Sequence, residues 1–325
     1  MSRMTYRDAL RLALKEEMKR DERVFVIGED VGKFGGAMAV TRGLFDEFSA
    51  RRMVDTPISE SAIIGAALGA ALTGLIPVAE IMFIDFTGVC MDQICNQVAK
   101  VRYMLGGQVQ VPLVIRTQGG AGKGYAAQHS QSLEAWFCHV PGLIVVMPST
   151  PRDARGLLKS AIREPNPVLF IEHKVLYNSE GDVPEAEELI PLGRAAITRP
   201  GKDVTITAHS MQARKALEAA EILFKEHGIE AEVIDLRTVA PLDEETILAS
   251  VRKTGKLVTV EEGYENSGIG AEVVSRVIAG AFDALDAEPR RVAFPNCPIP
   301  FAKSLESALL PNTKKIVETV LKVCG

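Results

Sequence analysis

Residues 59–83 read SESAIIGAALGAALTGLIPVAEIMF. No charge occurs from Ser61 to Ala79, a length comparable to the roughly 20 apolar residues of a membrane span. Composition decides against a span. The run is richer in Ala and Gly than in Leu and Phe, Gly74 stands where a helix C-cap belongs, and Pro77 opens a new element. The pattern predicts a buried helix over 59–73, then a buried strand, Ile76–Phe83, apolar on both faces. A helix feeding a doubly covered strand is the repeating piece of a parallel sheet.

The same cycle recurs on both sides. Val24–Gly28, Met53–Asp55, Val111–Thr117, Leu143–Met147 and Val168–Glu172 read as strands, and helical patterns occupy 5–20, 41–48, 87–104, 130–138 and 151–163. Residues 178–203 are rich in Glu, Gly and Pro without a long period, which places a domain boundary there. Beyond it, Val204–Ala208, Glu232–Leu236, Leu257–Val260 and Arg291–Phe294 read as strands, with helices over 211–227, 243–253, 269–285 and 311–323. The expectation is two α/β domains, 1–185 and 186–325.

Composition excludes other classes. With 47% hydrophobic residues in 325, the chain has ample material for a core, which argues against disorder. Its 42 acidic and 37 basic side chains leave a net charge of −5 and no basic block, so neither nucleic acid nor an anionic membrane is an expected partner. Five cysteines without a C-x-x-C pair fit neither a disulfide framework nor a zinc ribbon and point to a reducing compartment, the cytoplasm. Asp8, Glu16 and Glu17 argue against a transit peptide and no apolar signal core is present, so the mature chain is expected to begin here. A mitochondrial matrix location would require a transit peptide already removed.

The glycine run Gly119-Gly120-Ala121-Gly122-Lys123-Gly124 suggests a phosphate loop, but Thr117 and Gly124 both break the Walker pattern. Gly268-Ile269-Gly270 lacks the third glycine of a dinucleotide fingerprint, where Val273 stands. More informative is Asp55-Thr56-Pro57-Ile58-Ser59-Glu60. Ser59 can cap the uncharged helix, and Glu60 falls in its first turn, where a carboxylate entering a buried region needs a partner. Met82 and Phe86, beyond a strand end, can form an apolar platform for a flat ring or serve as ordinary core. His129, in the small-residue loop Ala126-Ala127-Gln128-His129-Ser130-Gln131, can act as acid or base near neutrality or simply be hydrogen-bonded. No histidine cluster supports a metal site, and no G-x-S-x-G elbow supports a serine hydrolase.

Taken together, Gly28-Glu29-Asp30-Val31-Gly32, the Asp55–Glu60 segment, Ala126–Gln131 and Val260-Glu261-Glu262-Gly263 resemble the beta subunit of the thiamine-diphosphate-dependent first component of 2-oxo acid dehydrogenase complexes. The likeness runs in order from Tyr6 nearly to the C-terminus. It implies a transketolase-like fold, with an N-terminal parallel-sheet domain that binds the cofactor's pyrimidine and a transketolase C-terminal α/β domain. By motif, Glu60 would hydrogen-bond the aminopyrimidine and share a proton with its ring nitrogen, the role of a carboxylate in a dry pocket. The resemblance makes Phe86 and Met82 the packing surface of that ring and Ile58 another wall. His129 would orient substrate and assist acyl transfer to the lipoyl group of the second component. Glu29 would join a chain of acidic groups. Backbone carbonyls of Leu113, Ala161, Glu164 and Asn166 would offer a potassium site.

Thiamine enzymes hold magnesium and diphosphate with a G-D-G sequence and a later Asn, whereas Gly181-Asp182-Val183 has the wrong third residue. The resemblance therefore implies that an alpha subunit supplies that half-site, in a heterotetramer of two alpha and two beta chains. The expected partners are the alpha subunit, another beta chain, a lipoyl-bearing acyltransferase and a 2-oxo acid. Ala127–Gln131, Ala135-Trp136-Phe137 and Val260–Gly263 look most like the pyruvate-specific members of the family, a resemblance that implies pyruvate as substrate. Asp85–Cys90 and Arg102–Gly107 are also similar to acetoin dehydrogenase beta chains, and a branched-chain 2-oxo acid is a further alternative. Half of a split transketolase and a non-catalytic docking subunit are the remaining readings.

Overall fold

The computed structural model describes residues 1–325 and divides into two compact units, Met1–Gly119 with Trp136–Leu192, and Gly120–Ala135 with Gly193–Gly325. The strands in chain order are β1 (Ser2–Thr5), β2 (Val24–Gly28), β3 (Met53–Asp55), β4 (Ile76–Ile81), β5 (Val114–Gly119), β6 (Ile144–Val146), β7 (Val168–His173), β8 (Glu180–Val183), β9 (Ala196–Arg199), β10 (Val204–Ala208), β11 (Ala231–Asp235), β12 (Thr238–Ala240), β13 (Leu257–Tyr264) and β14 (Arg290–Phe294). The α-helices are α1 (Tyr6–Arg20), α2 (Leu44–Arg52), α3 (Glu60–Leu72), α4 (Val101–Met104), α5 (Glu134–Cys138), α6 (Pro151–Arg163), α7 (Ser210–His227), α8 (Glu244–Thr254), α9 (Ile269–Ala281), α10 (Lys303–Leu309) and α11 (Thr313–Cys324).

In the first unit β6-β7-β5-β4-β2-β3 lie side by side, all parallel. β4, β5 and β7 are buried at every residue, as doubly covered strands must be. α1 starts where the Thr5 hydroxyl accepts the Asp8 N–H, and it buries Leu10, Leu14 and Met18. Glu16 and Glu17 on the same helix pair with Arg155, Lys159 and Arg163 of α6. α6 itself begins with Pro151 behind a Thr150 cap. The α/β class and the parallel sheet are as the sequence predicts.

Four local expectations are corrected. The single helix over 87–104 is instead a 3₁₀ turn at Ile84–Gly88, a π-helical stretch at Gln93–Val98 and the short α4. The Ala99 N–H reaches back five residues to the Ile94 carbonyl, and the widened turn puts both Ile94 and Val98 in the core. The region 178–203 is not free of elements, because β8 pairs antiparallel with β1 and β9 adds an antiparallel edge beside β11. Ser59 occupies the N-cap position of α3, but its side chain makes no cap hydrogen bond. α3 is only half buried: Ile63, Ile64 and Ala67 are covered, while Ala62, Gly65, Ala66 and Gly69 face outward. Its end matches the reading, with Gly74 at φ +94°.

The second unit has a five-stranded sheet, β14-β13-β10-β11-β9, parallel except for β9. Val204, Ile206, Val233 and Val258 meet Ala216, Ala220 and Leu223 of α7 and Ile316 and Val320 of α11 in its core. No helix is long and apolar enough to cross a membrane.

Candidate active site

The carboxyl ends of β2, β3, β4 and β5 form the region where a parallel sheet presents ligand-binding groups. Two of the sequence motifs are stitched together there. The Gly32 N–H donates to Asp55 Oδ1 at 2.6 Å, and the Thr56 N–H donates to the Gly28 carbonyl at 3.0 Å. Gly28 is needed at this crossing, since a Cβ would lie 2.8 Å from the Glu80 carbonyl oxygen of the adjoining strand. Glu29 thus follows β2 and Glu60 opens α3 after β3 on the same side of the sheet.

Glu60 is only 8% exposed, yet its carboxylate has no hydrogen-bond or ion-pair partner in the chain. Its neighbours are acidic. Burial raises the proton affinity of Glu29, and the charges of Glu60, Asp30 and Glu80 raise it further. Burial, then the Glu60 charge, pushes the nearby Cys90 thiol up to about 12. Met82 and Phe86 are half-buried in the segment after β4, whereas Ile58 is 80% exposed in the loop before α3.

Behind Glu29 and Glu60 runs a line of charge that the sequence reading missed. Strand register places Glu80 on β4 beside Arg116 on β5, and Gln118 beside Glu172 on β7. Arg116 Nη1 donates to Glu80 Oε2 at 2.7 Å, its Nε to Glu172 Oε1 at 2.6 Å, and Gln118 Nε2 to Glu80 Oε1 at 3.1 Å. Tyr177 Oη closes the line on Glu172 at 2.5 Å. Burial opposes the Arg116 charge, but the two carboxylates outweigh it and hold the guanidinium ionised. The available signal was a single charged residue inside each of three otherwise apolar strands, VAEI, VIRT and LFIE.

His129 belongs to the second unit and is half-buried. The glycine run before it is not a phosphate cradle: the Ala121 N–H donates to Glu262 Oε1 at 2.5 Å, and the Gly122 N–H donates to Glu306 Oε1 at 2.9 Å. These donors are already committed to carboxylates. At the expected potassium ligands, the Leu113 carbonyl accepts the Val168 N–H at 2.9 Å and the Ala161 carbonyl the Glu164 N–H at 3.3 Å, while Asn166 donates to Glu164 Oε1 at 2.6 Å. No group of three His, Cys, Asp or Glu side chains is arranged to hold a metal ion. Gly181 and Asp182 lie in β8, paired with Met4 and Arg3.

The chain matches the transketolase pyrimidine-binding domain over residues 2–180 and the transketolase C-terminal domain over residues 193–316. It is 49% identical to the pyruvate dehydrogenase E1 component subunit beta of Rhizobium meliloti, over 100% of this chain and 70% of that one. The Rickettsia felis protein of the same name is 48% identical, over 99% and 98%. The acetoin:2,6-dichlorophenolindophenol oxidoreductase subunit beta of Cupriavidus necator is also 48% identical, over 97% and 95%. Among solved structures, a split-gene transketolase described as an inactive beta4 tetramer superposes with a TM-score of 0.81 at 25% identity, covering 99% of this chain and 98% of that one. By the extent and order of both domains, the chain belongs to the transketolase-like family of beta subunits of the thiamine-diphosphate-dependent first component of 2-oxo acid dehydrogenases.

Proposed function

We propose that this chain is the beta half of a pyruvate dehydrogenase first component, acting in oxidative decarboxylation of pyruvate and acetyl transfer to a lipoyl group. The observation that carries the reading is the Glu60 carboxylate, buried at the start of α3 and left without a partner by its own chain. A carboxylate so nearly buried calls for a partner, and a proton shared with the ring nitrogen of an aminopyrimidine supplies one. Thiamine diphosphate, when bound, supplies a carbon nucleophile and an electron sink. The residues of this chain do the rest. Glu60 hydrogen-bonds the ring nitrogen and shares a proton with it, Met82 and Phe86 seat the ring with Ile58 as a further wall, and Glu29 joins the acidic surroundings. His129 orients the substrate and assists acyl transfer.

Magnesium and the diphosphate fall to the alpha subunit, since Gly181-Asp182-Val183 is strand and carries no metal loop. The working assembly is two alpha and two beta chains in the cytoplasm, with a lipoyl-bearing acyltransferase as acceptor and potassium at the carbonyls around Leu113, Ala161, Glu164 and Asn166. Residues 1–185 serve the pyrimidine and 186–325 form the C-terminal domain.

The test is a Glu60→Gln chain assembled with its alpha subunit. Loss of about 10²–10⁴ in pyruvate-dependent lipoamide reduction is expected, and full activity in a normal assembly would overturn the reading. Acetoin is the second reading, favoured by the 48% identity to the Cupriavidus protein. A higher kcat/KM for acetoin than for pyruvate would transfer the substrate assignment.

A further inference from the structure

The segment that carries His129 is anchored at three places within the second unit. Its first arm gives the Ala121 N–H to Glu262 and the Gly122 N–H to Glu306. The Gly120 N–H meets the Gln131 carbonyl at 3.0 Å and closes the loop. The third anchor is Glu134, five residues after His129. The residue is 1% exposed, and its Oε1 lies 3.3 Å from Nε2 of His209, itself 3% exposed at the junction of β10 and α7. The other atoms of the pair, Glu134 Oε2 and His209 Nδ1, are buried without partners.

Three carboxylates bear on that imidazole, each from a different element: Glu134 of α5, Glu261 of β13 and Asp235 of β11. Glu261 is buried and accepts the N–H groups of Ile269 and Gly270, both at 2.8 Å, so it is fixed against the start of α9. Burial pulls the proton affinity of His209 down, but the Glu134 hydrogen bond and the three negative charges raise it on balance. An imidazolium between carboxylates is a stronger anchor than a neutral ring, because a charge-assisted hydrogen bond is roughly twice as strong as a neutral one.

We propose that His209 is a positioning residue for the His129 segment: through Glu134 it fixes where that segment enters α5, and it holds best with a proton on the imidazole. Release at Glu134 leaves the Gly120–Gln131 closure as the nearest hold on His129, and a misplacement of only 1 Å can cost 10²-fold in rate. The catalytic half of this inference rests on the reading of His129 as an acyl-transfer residue. The anchoring half does not.

The experiment uses the full chain assembled with its alpha subunit, comparing wild type with His209→Ala, His209→Gln, Glu134→Gln and the neutral pair His209→Gln/Glu134→Gln. Hydrogen exchange of the peptide over 120–134, corrected for intrinsic exchange, is read at pH 6 and pH 8.5. Pyruvate-dependent acetylation of a lipoyl domain is compared with pyruvate-dependent reduction of dichlorophenolindophenol. In a Glu261→Gln background, which removes that carboxyl's own titration, the segment should be better protected at pH 6 than at pH 8.5, and adding His209→Gln should abolish that dependence. His209→Ala should slow lipoyl acetylation at least tenfold while dye reduction stays within twofold, and the neutral pair should recover most of the acetylation without pH dependence. Wild-type protection in His209→Ala, unchanged pH dependence on adding His209→Gln to Glu261→Gln, or equal losses in both assays would overturn the proposal. If His209→Ala does not fold, Glu134→Gln and the neutral pair decide by the same exchange criterion. Lost protection with unchanged acetylation would retain the anchor and reject the role given to His129.

Discussion

Arg116 and Glu172 meet through two parallel hydrogen bonds, Nε at 2.6 Å and Nη2 at 2.9 Å, with no part of either residue exposed. Arg116 also serves Glu80, so one guanidinium on β5 satisfies two interior carboxylates on the strands that flank it. Removing it strands both charges. Arg116→Met should therefore cost about 3–5 kcal/mol, read as a lowered urea midpoint of the full chain. Adding Glu80→Gln and Glu172→Gln should restore part of that loss, and a single variant within 1 kcal/mol of wild type would refute the account.

Sequence patterning reveals the sheet well because every strand of the first unit's parallel core is apolar enough to stand out. Val24–Gly28 and Met53–Asp55 have the predicted bounds, and so does the helix 151–163 with its Thr-Pro start. The antiparallel ribbon of Ser2–Thr5 with Glu180–Val183 escapes notice because its residues are mostly polar and its partners lie far apart in sequence. The break in helix 87–104 is hidden for another reason: a one-residue widening preserves the apolar count and changes only its phase. Glu60 is visible from position, while Arg116, Glu172, Glu134 and His209 acquire meaning only once register and packing bring them together.

Stability of the second unit should depend on pH through Glu261. Burial, with the Glu134 charge adding to it, raises this carboxyl to about 7 against the combined opposition of His209 and two backbone N–H groups. A raised value means that the folded chain binds the proton more tightly than the unfolded chain. Its contribution is complete below the ordinary value of 4.5 and is lost as pH climbs through about 7. The change over that window is roughly 3 kcal/mol. Denaturant titrations from pH 4.5 to 8 should show stability falling, and Glu261→Gln should flatten the slope even though it loses one of the two bonds to α9. An unchanged slope would reject Glu261 as its source.

His129→Ala should separate two half-reactions. Acetylation of a lipoyl domain should fall by 10²-fold or more, while pyruvate-dependent dye reduction falls less than tenfold. Equal damage to both would remove His129 from acyl transfer.

Cys90 should resist thiol reagents in the folded chain, since burial and the Glu60 charge keep it protonated. Iodoacetamide at pH 8 should leave the Cys90 peptide unlabelled by mass mapping until urea is added. Rapid native labelling would show that the pocket around Glu60 is open rather than dry.

The outward face of α3 bears on the economics of the whole chain. At Gly65 and Gly69 an added Cβ would meet nothing within 4 Å, and neither residue has a positive φ. Alanine would fit both sites and favour the helix by about 1 kcal/mol each. The chain by itself therefore carries two helix-weakening residues with no internal benefit, on the same rod whose first residue is Glu60. Within this fold alone, the better sequence is one the protein does not have.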